Sequence, residues 1–204
     1  MATKIRCIVG IDEVGRGPLA GPVTVCACTV APDFDFTHFT GIKDSKQLSA
    51  QKREQWFLKI SELKSHGLLD YAHTSIPAEE IDSIGISKSI QKAIQESLRA
   101  LSLVADATEI FLDGSLKAPK EFEIQQTIIK GDEKIPIISA ASIIAKVIRD
   151  RHMEEQAILY PAYGFETHKG YGTSSHYKAI HKHGISPLHR RSFLKKLTLD
   201  EKSA

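Results

Sequence analysis

Ile8-Val9-Gly10-Ile11-Asp12-Glu13-Val14-Gly15-Arg16-Gly17-Pro18-Leu19-Ala20-Gly21-Pro22-Val23 carries a short apolar run onto two adjacent acids and then into a glycine-rich turn. Ile5 to Ile11 and Pro22 to Val30 are rich in Ile, Val, Thr and Cys, so the turn between them reads as the connection of two neighbouring strands. Adjacent carboxylates at a buried strand end repel each other, and leaving them there costs stability unless cations neutralise them. Ile110-Phe111-Leu112-Asp113-Gly114 repeats the arrangement. If the two strands are neighbours in one sheet, three carboxylates converge at its edge, and a hard divalent cation is their natural occupant.

The rest of the chain alternates strand and helix signals. Ser49 caps a helix to about Ser65, with Trp56, Ile60 and Leu63 on one face and Gly67 past its end; Leu68 to Ser75 reads as a strand. Pro77 suits the first turn of a short helix, and Ile86 to Val104 carries Ile90, Ile94, Leu98 and Leu101 at helical intervals. Glu109 to Leu112 and Glu123 to Ile129 are short β-prone runs, and Ser139 to Tyr160 has a helical period. A Gly/Tyr-rich loop then runs to Thr173, and two short basic helices bracket Gly184 and Pro187. This alternation predicts a layered α/β or α+β domain. Asp150, on the last long helix with Lys146 one turn earlier, is a fourth candidate acid. Asp44, Asp106 and Asp132 follow no apolar strand and read as solvated loop acids.

With 204 residues, 42% hydrophobic and 25% charged, the chain is long enough for its own core, which excludes a disordered or disulfide-stapled protein. No apolar run approaches the ~20 residues of a membrane span and no signal peptide opens the chain, so a cytoplasmic protein is expected. Cys7, Cys26 and Cys28 lack C-x-x-C spacing and read as reduced thiols. The formal net charge of +2 hides a division: residues 164–204 carry +5 and the remainder −3, and five of the nine histidines lie in that basic tail. An anionic partner for the tail follows.

Gly15 to Pro22 matches neither the dinucleotide fingerprint nor the P-loop. Two glycines around Arg16 instead let a backbone approach a ligand closely, with N–H and C=O groups both open to it. His168-Lys169-Gly170-Tyr171-Gly172-Thr173 places a ring free to stack beside a cation, a nucleic-acid feature. No G-x-S-x-G elbow supports a serine nucleophile.

Asp12 to Val23, Asp44-Ser45-Lys46, Leu112-Asp113-Gly114, Ala140 to Asp150, His168 to Thr173 and His189-Arg190-Arg191-Ser192-Phe193 together resemble bacterial ribonuclease HII, in that family's order. Arg16 and a strand beginning at residue 5 point to type II rather than type III, while Glu133 and Ser139 are small departures. The resemblance implies an α/β fold of ribonuclease H-like type, a mixed sheet flanked by helices, with residues 1–163 as the catalytic domain and 164–204 as a basic substrate-binding segment packed on it. It implies hydrolysis of the RNA strand of RNA–DNA hybrids, and incision 5′ of single ribonucleotides embedded in duplex DNA, leaving 5′-phosphate and 3′-hydroxyl ends. Asp12, Glu13, Asp113 and Asp150 match the metal-coordinating catalytic carboxylates, with Mg²⁺ or Mn²⁺ as cofactor. Gly15, Arg16, Gly17 and Tyr171 match the ribose-sensing residues, and Lys46 and Lys169 are expected to contact phosphates. A monomer without membrane association is expected. Two competitors remain at this stage: a two-metal nuclease acting on DNA alone, and a binding module whose acids are structural.

Overall fold

The computed structural model describes residues 4–194, so Lys195, Lys196 and Lys202 of the basic tail lie outside the described residues. A five-stranded mixed sheet has the order β3-β2-β1-β4-β5. Its strands are β1 (Cys7–Val14), β2 (Val23–Val30), β3 (Leu69–Ile76), β4 (Thr108–Asp113) and β5 (Gln125–Ile128). β1, β2 and β3 form an antiparallel meander, while β4 lies parallel to β1 and β5 parallel to β4.

The first strand outruns its expected end at Ile11. Pairing with β2 continues to Val14 opposite Thr24, so Asp12 and Glu13 are strand residues rather than loop residues. Side chains alternate across a strand. Val9 and Ile11 accordingly join Val25, Ile110 and Leu112 in one core, and Ile8 and Val14 pack with Cys26 and Cys28 in the other. All three cysteines are free thiols, as expected, with Cys26 and Cys28 buried.

Helices cover both faces. α1 (Ala50–Ser65) begins at Ser49, whose side chain accepts from the Lys52 N–H, and it buries Ile60 and Leu63. Short α2 (Ala78–Ile84) leads through Gly85 into α3 (Ile86–Ala100), which buries Ile90, Ile94 and Leu98. α3 ends four residues short of Val104, where Ser102 takes a positive φ of 51° that breaks the helix. α4 (Gly131–Lys134) is one turn. α5 (Pro136–Leu159) starts three residues before the expected Ser139, with Pro136 in the first turn where its missing N–H is harmless. It crosses β1 so closely at Gly10 that a Cβ there would lie 2.5 Å from the Ile137 backbone.

Beyond α5 the expected loop contains α6 (Phe165–His168), followed by α7 (Ser174–His183). Of the second basic helix, the described part holds a 3₁₀ turn, Arg191–Phe193, and residues 195–204 lie outside the described residues. This segment buries Tyr163, Phe165, Ile180 and Leu194 against Met153 and Ala157 of α5 and against Leu19 and Ala20 of the glycine-rich turn. The packing brings that turn and the Tyr171 loop together.

Candidate active site

The register of the parallel pair sets the site. Ile11 stands opposite Leu112, so the following residues, Asp12 and Asp113, emerge level at one end of the sheet. Asp12 is 3% exposed, and its carboxyl sits well above the usual range, raised first by burial and then by the charges of Glu13 and Asp113, with Ser142 of α5 drawing it partly back. Glu13 is raised too, again mainly by burial. Arg16, with Nη1 3.7 Å from Glu13 Oε1, opposes that rise, while Asp113 adds to it. Asp113 Oδ1 accepts from the Gly131 N–H at 2.7 Å in the first turn of α4, which fixes the carboxylate's direction.

Asp150, on α5, is paired within its own helix. Lys146 Nζ lies 2.8 Å from its Oδ1, one helical turn away, so the acid is engaged by its own helix neighbour. Among the described residues no three or more His, Cys, Asp or Glu side chains stand close enough together, as placed, to hold a metal ion. Asp12, Glu13 and Asp113 lie near enough for their charges to act on one another. The donors are all oxygens, and the raised carboxyls of Asp12 and Glu13 are in the state that a hard divalent cation reverses. The residues present fit such an ion.

Beside them lies a second acidic pair that the sequence reading set aside as solvated. Asp44 and Asp132 are each 4% exposed. Asp44 Oδ1 accepts from the Lys46 N–H at 3.1 Å, and Lys46 Nζ lies 3.3 Å from Asp132 Oδ2. Burial works against the Lys46 ammonium, but Asp44, Asp12 and Asp132 together hold its pKa above the usual value. Ser45 Oγ and Ser142 Oγ, 2.9 Å apart, tie this turn to the helix beside Asp12. An apolar run leading into an acid reveals strand-end acids only, which is why these two were missed.

The glycine-rich turn rests on two buried arginines. Arg190 donates from Nη2 to Gly15 O at 2.6 Å, from Nη1 to Arg16 O at 3.1 Å and from Nε to Gly21 O at 3.0 Å. Arg149 donates from Nε to Pro22 O at 2.8 Å and from Nη2 to Ala20 O at 3.2 Å, and its Nη1 has no partner among the described residues. Burial, and then the charge of Arg149, bring Arg190 down to about 9. The spacing of the glycines leaves the turn's N–H and C=O groups both open to a ligand, whereas in the fold the Gly15 and Arg16 carbonyls are already engaged. Neither arginine was singled out, although both lie within the family-like motifs.

Gly15 has φ +87°, and a Cβ there would meet Arg149 Nε at 2.2 Å, whereas a Cβ on Gly17 would meet nothing within 4 Å. The first glycine is needed for packing, and the second faces open space. Tyr171 is 42% exposed, with the Arg149 guanidinium carbon 5.9 Å from its ring centroid. Lys169 is turned away from solvent: its Nζ pairs with Glu154 Oε1 at 2.8 Å and also donates to Glu166 O. Its charge is thus already countered within the fold.

The family model for ribonuclease HII matches residues 9–196. The chain is 46% identical over 187 residues to ribonuclease HII of Shouchella clausii, covering 91% of this chain and 68% of that protein. It is 43% identical over 187 residues to ribonuclease HII of Coxiella burnetii, covering 91% and 87% of the two chains. Among solved structures, the crystal structure of ribonuclease H2 from Pyrococcus horikoshii superposes with a TM-score of 0.73 at 28% identity, covering 96% of this chain and 98% of that one. The RNase HII of the PCNA complex from Archaeoglobus fulgidus gives 0.70 at 25% identity, covering 90% and 93%.

Proposed function

The chain belongs to the ribonuclease HII family, and from that premise we propose that it cleaves the RNA strand of RNA–DNA hybrids and incises 5′ of single ribonucleotides embedded in duplex DNA, with Asp12, Glu13, Asp113 and Asp150 as its catalytic carboxylates. The observation that carries this reading is the level emergence of Asp12 and Asp113 from parallel strands, with Glu13 beside them and the open face of Gly17 nearby. Mg²⁺ or Mn²⁺, which Asp12, Glu13, Asp113 and Asp150 would hold, would supply Lewis-acid chemistry for activating water and stabilising the leaving 3′ oxygen, consistent with 5′-phosphate and 3′-hydroxyl ends. In that role Asp150 would exchange its pairing with Lys146 for the metal.

The chain's own residues would select the ribose. A 2′-hydroxyl both donates and accepts, so a backbone that comes within hydrogen-bond range distinguishes RNA from DNA without reading bases. Gly17 presents no side chain to block that approach, and Arg190 holds the Gly15 and Arg16 carbonyls inward so that the turn keeps its shape. Tyr171 offers an exposed ring next to the same turn. Arg16 and Lys46, both exposed at the acidic edge, contact phosphates, with Lys169 a weaker contributor because of its pairing with Glu154. Among the described residues no helix is long and apolar enough to cross a membrane, and we place the enzyme in the cytoplasm as a monomer.

One gel tests the reading. Cleavage of a full hybrid, a duplex with one ribonucleotide and an all-DNA duplex is compared with Mg²⁺, with Mn²⁺ and with EDTA. Metal-dependent cutting of the first two alone is expected. Equal cutting of all three would mean a DNA nuclease, and no cutting at all a binding module.

A further inference from the structure

Three histidines of the C-terminal segment have no part in the proposed chemistry, yet they are buried: His176 is 0%, His189 3% and His168 8% exposed. His168 stacks on His176 with centroids 4.3 Å apart, and Phe165 meets both edge-on. Their hydrogen bonds fix every ring nitrogen. The Ser186 N–H donates to His189 Nδ1 at 2.9 Å, so the His189 proton is on Nε2, where it points to His176 Nε2 at 3.0 Å. The His176 proton is then on Nδ1, which donates to the Tyr171 carbonyl at 2.9 Å. His168 donates from Nε2 to Tyr163 O at 2.8 Å and accepts the Gly170 N–H on Nδ1 at 3.2 Å. In each ring the second nitrogen faces a fixed N–H, so the network holds together only with all three rings neutral.

The network ends at the substrate side. His176 holds the carbonyl of Tyr171, and His168 holds the amide of Gly170, whose own carbonyl accepts from Leu19 at 2.8 Å and Ala20 at 3.3 Å in the glycine-rich turn. His189 pairs with Ala20 in an isolated β-bridge. The three residues thus link the Tyr171 loop, through their rings, to the glycine-rich turn, through the main chain of Gly170 and His189.

We propose that His168, His176 and His189 form a positioning device that fixes the Tyr171 ring against the Gly15–Gly21 turn and thereby sets the enzyme's discrimination of an isolated ribonucleotide. The device rests on the reading of Tyr171 as a substrate residue. Burial, opposed by these hydrogen bonds, lowers the pKa of His176, and it brings His189 to about 4, which favours the neutral form of both rings. Tyr163 packs on His189 and carries His183 on its edge, while Glu79 and Asp82 of α2 and Arg191 line the 390 Å³ cavity on the outer side of His189. Asp82 is engaged by the Arg191 and Ser192 amides, and Glu79 is the other acid of that lining.

The test measures single-turnover cleavage and duplex binding on a substrate with one ribonucleotide for His176→Phe, His176→Asn, Tyr171→Ala and the His176→Phe/Tyr171→Ala double variant. His176→Phe keeps the ring and loses the bond to Tyr171, so about a tenfold loss of rate is expected, with binding within about twofold. His176→Asn places an amide N–H near the Nδ1 position and should recover most of that rate. The double variant should be no slower than Tyr171→Ala. A full-rate His176→Phe, no recovery in His176→Asn, or additive losses in the double variant would overturn the positioning role while leaving that of Tyr171 intact. A full-rate Tyr171→Ala would instead overturn the substrate reading of Tyr171 and the device with it. If His176→Phe does not fold, His189→Leu breaks the network one ring farther from Tyr171 and carries the same expectations.

Discussion

The acids at the ends of β1 and β4 and the arginines beneath the glycine-rich turn are both withdrawn from water, but they are satisfied in opposite ways. Arg149 and Arg190 spread their guanidinium donors over five backbone carbonyls of one turn. Hydrogen bonds to a charged group are worth about 1.5–3 kcal/mol each, so these arginines are structural members. Asp12 and Glu13 have only partial compensation, from Ser142, Arg16 and Lys46, and their carboxyls stay raised. A charge answered within the fold holds shape, whereas one left unanswered is available to a ligand.

The sharpest break in that comparison is chemical. Asp113→Asn keeps the side chain's shape and removes the charge, so single-turnover cleavage in limiting Mg²⁺ should fall at least ~100-fold. Near-wild-type cleavage would place Asp113 outside the reacting group. In EDTA, Asp12→Asn should melt at the same temperature as wild type or higher, because it removes a buried, repelled carboxylate. A lower melting temperature would show that the acid is satisfied after all.

Removing a charge that the fold does answer should act on stability. Arg190→Met leaves the Gly15, Arg16 and Gly21 carbonyls without their donor, and chemical denaturation should report a loss of about 2–4 kcal/mol. The two glycines divide the same way. Gly15→Val drives a side chain into Arg149 and should destabilise the protein, while Gly17→Val should melt within a degree or two of wild type and yet lose cleavage. Equal melting losses in the two variants would erase the distinction between the packed and the open glycine.

The smallest effect concerns the histidines. His189 is lowered from 6.5 to about 4 by burial, so the unfolded chain binds more protons than the folded one in that interval. Stability from this group is complete above about pH 6.5 and is lost as pH falls toward 4. Denaturation midpoints at several pH values should show this decline, and His189→Leu should flatten it.

Much of the frame was legible because its signals are local. Ser49 begins α1 through its own side chain, and Ile90, Ile94 and Leu98 face the core at helical spacing. Asp12, Glu13 and Asp113 could be found because each follows an apolar strand. Other features depended on what lay across the fold. Asp44 and Asp132 have no apolar run before them and are buried only because the Ser45–Gln47 turn packs beside α5. Lys169 has the composition of a phosphate contact but finds Glu154 of α5 first. The α3 boundary was read too far because Leu101 and Val104 extend the apolar pattern past the residue where the backbone turns.

The sequence by itself determined which residues could carry the chemistry: acids at strand ends, glycines in a turn and a tyrosine between glycines, since residue type and short-range spacing settle local backbone and side-chain capability. Only the tertiary structure decided which of them act together. The parallel register brings Asp12 level with Asp113, Lys146 pairs with Asp150, and Arg190 closes two carbonyls that the spacing left open. Each of these depends on a distance between elements, and on the charge and burial that distance creates, which no local pattern encodes.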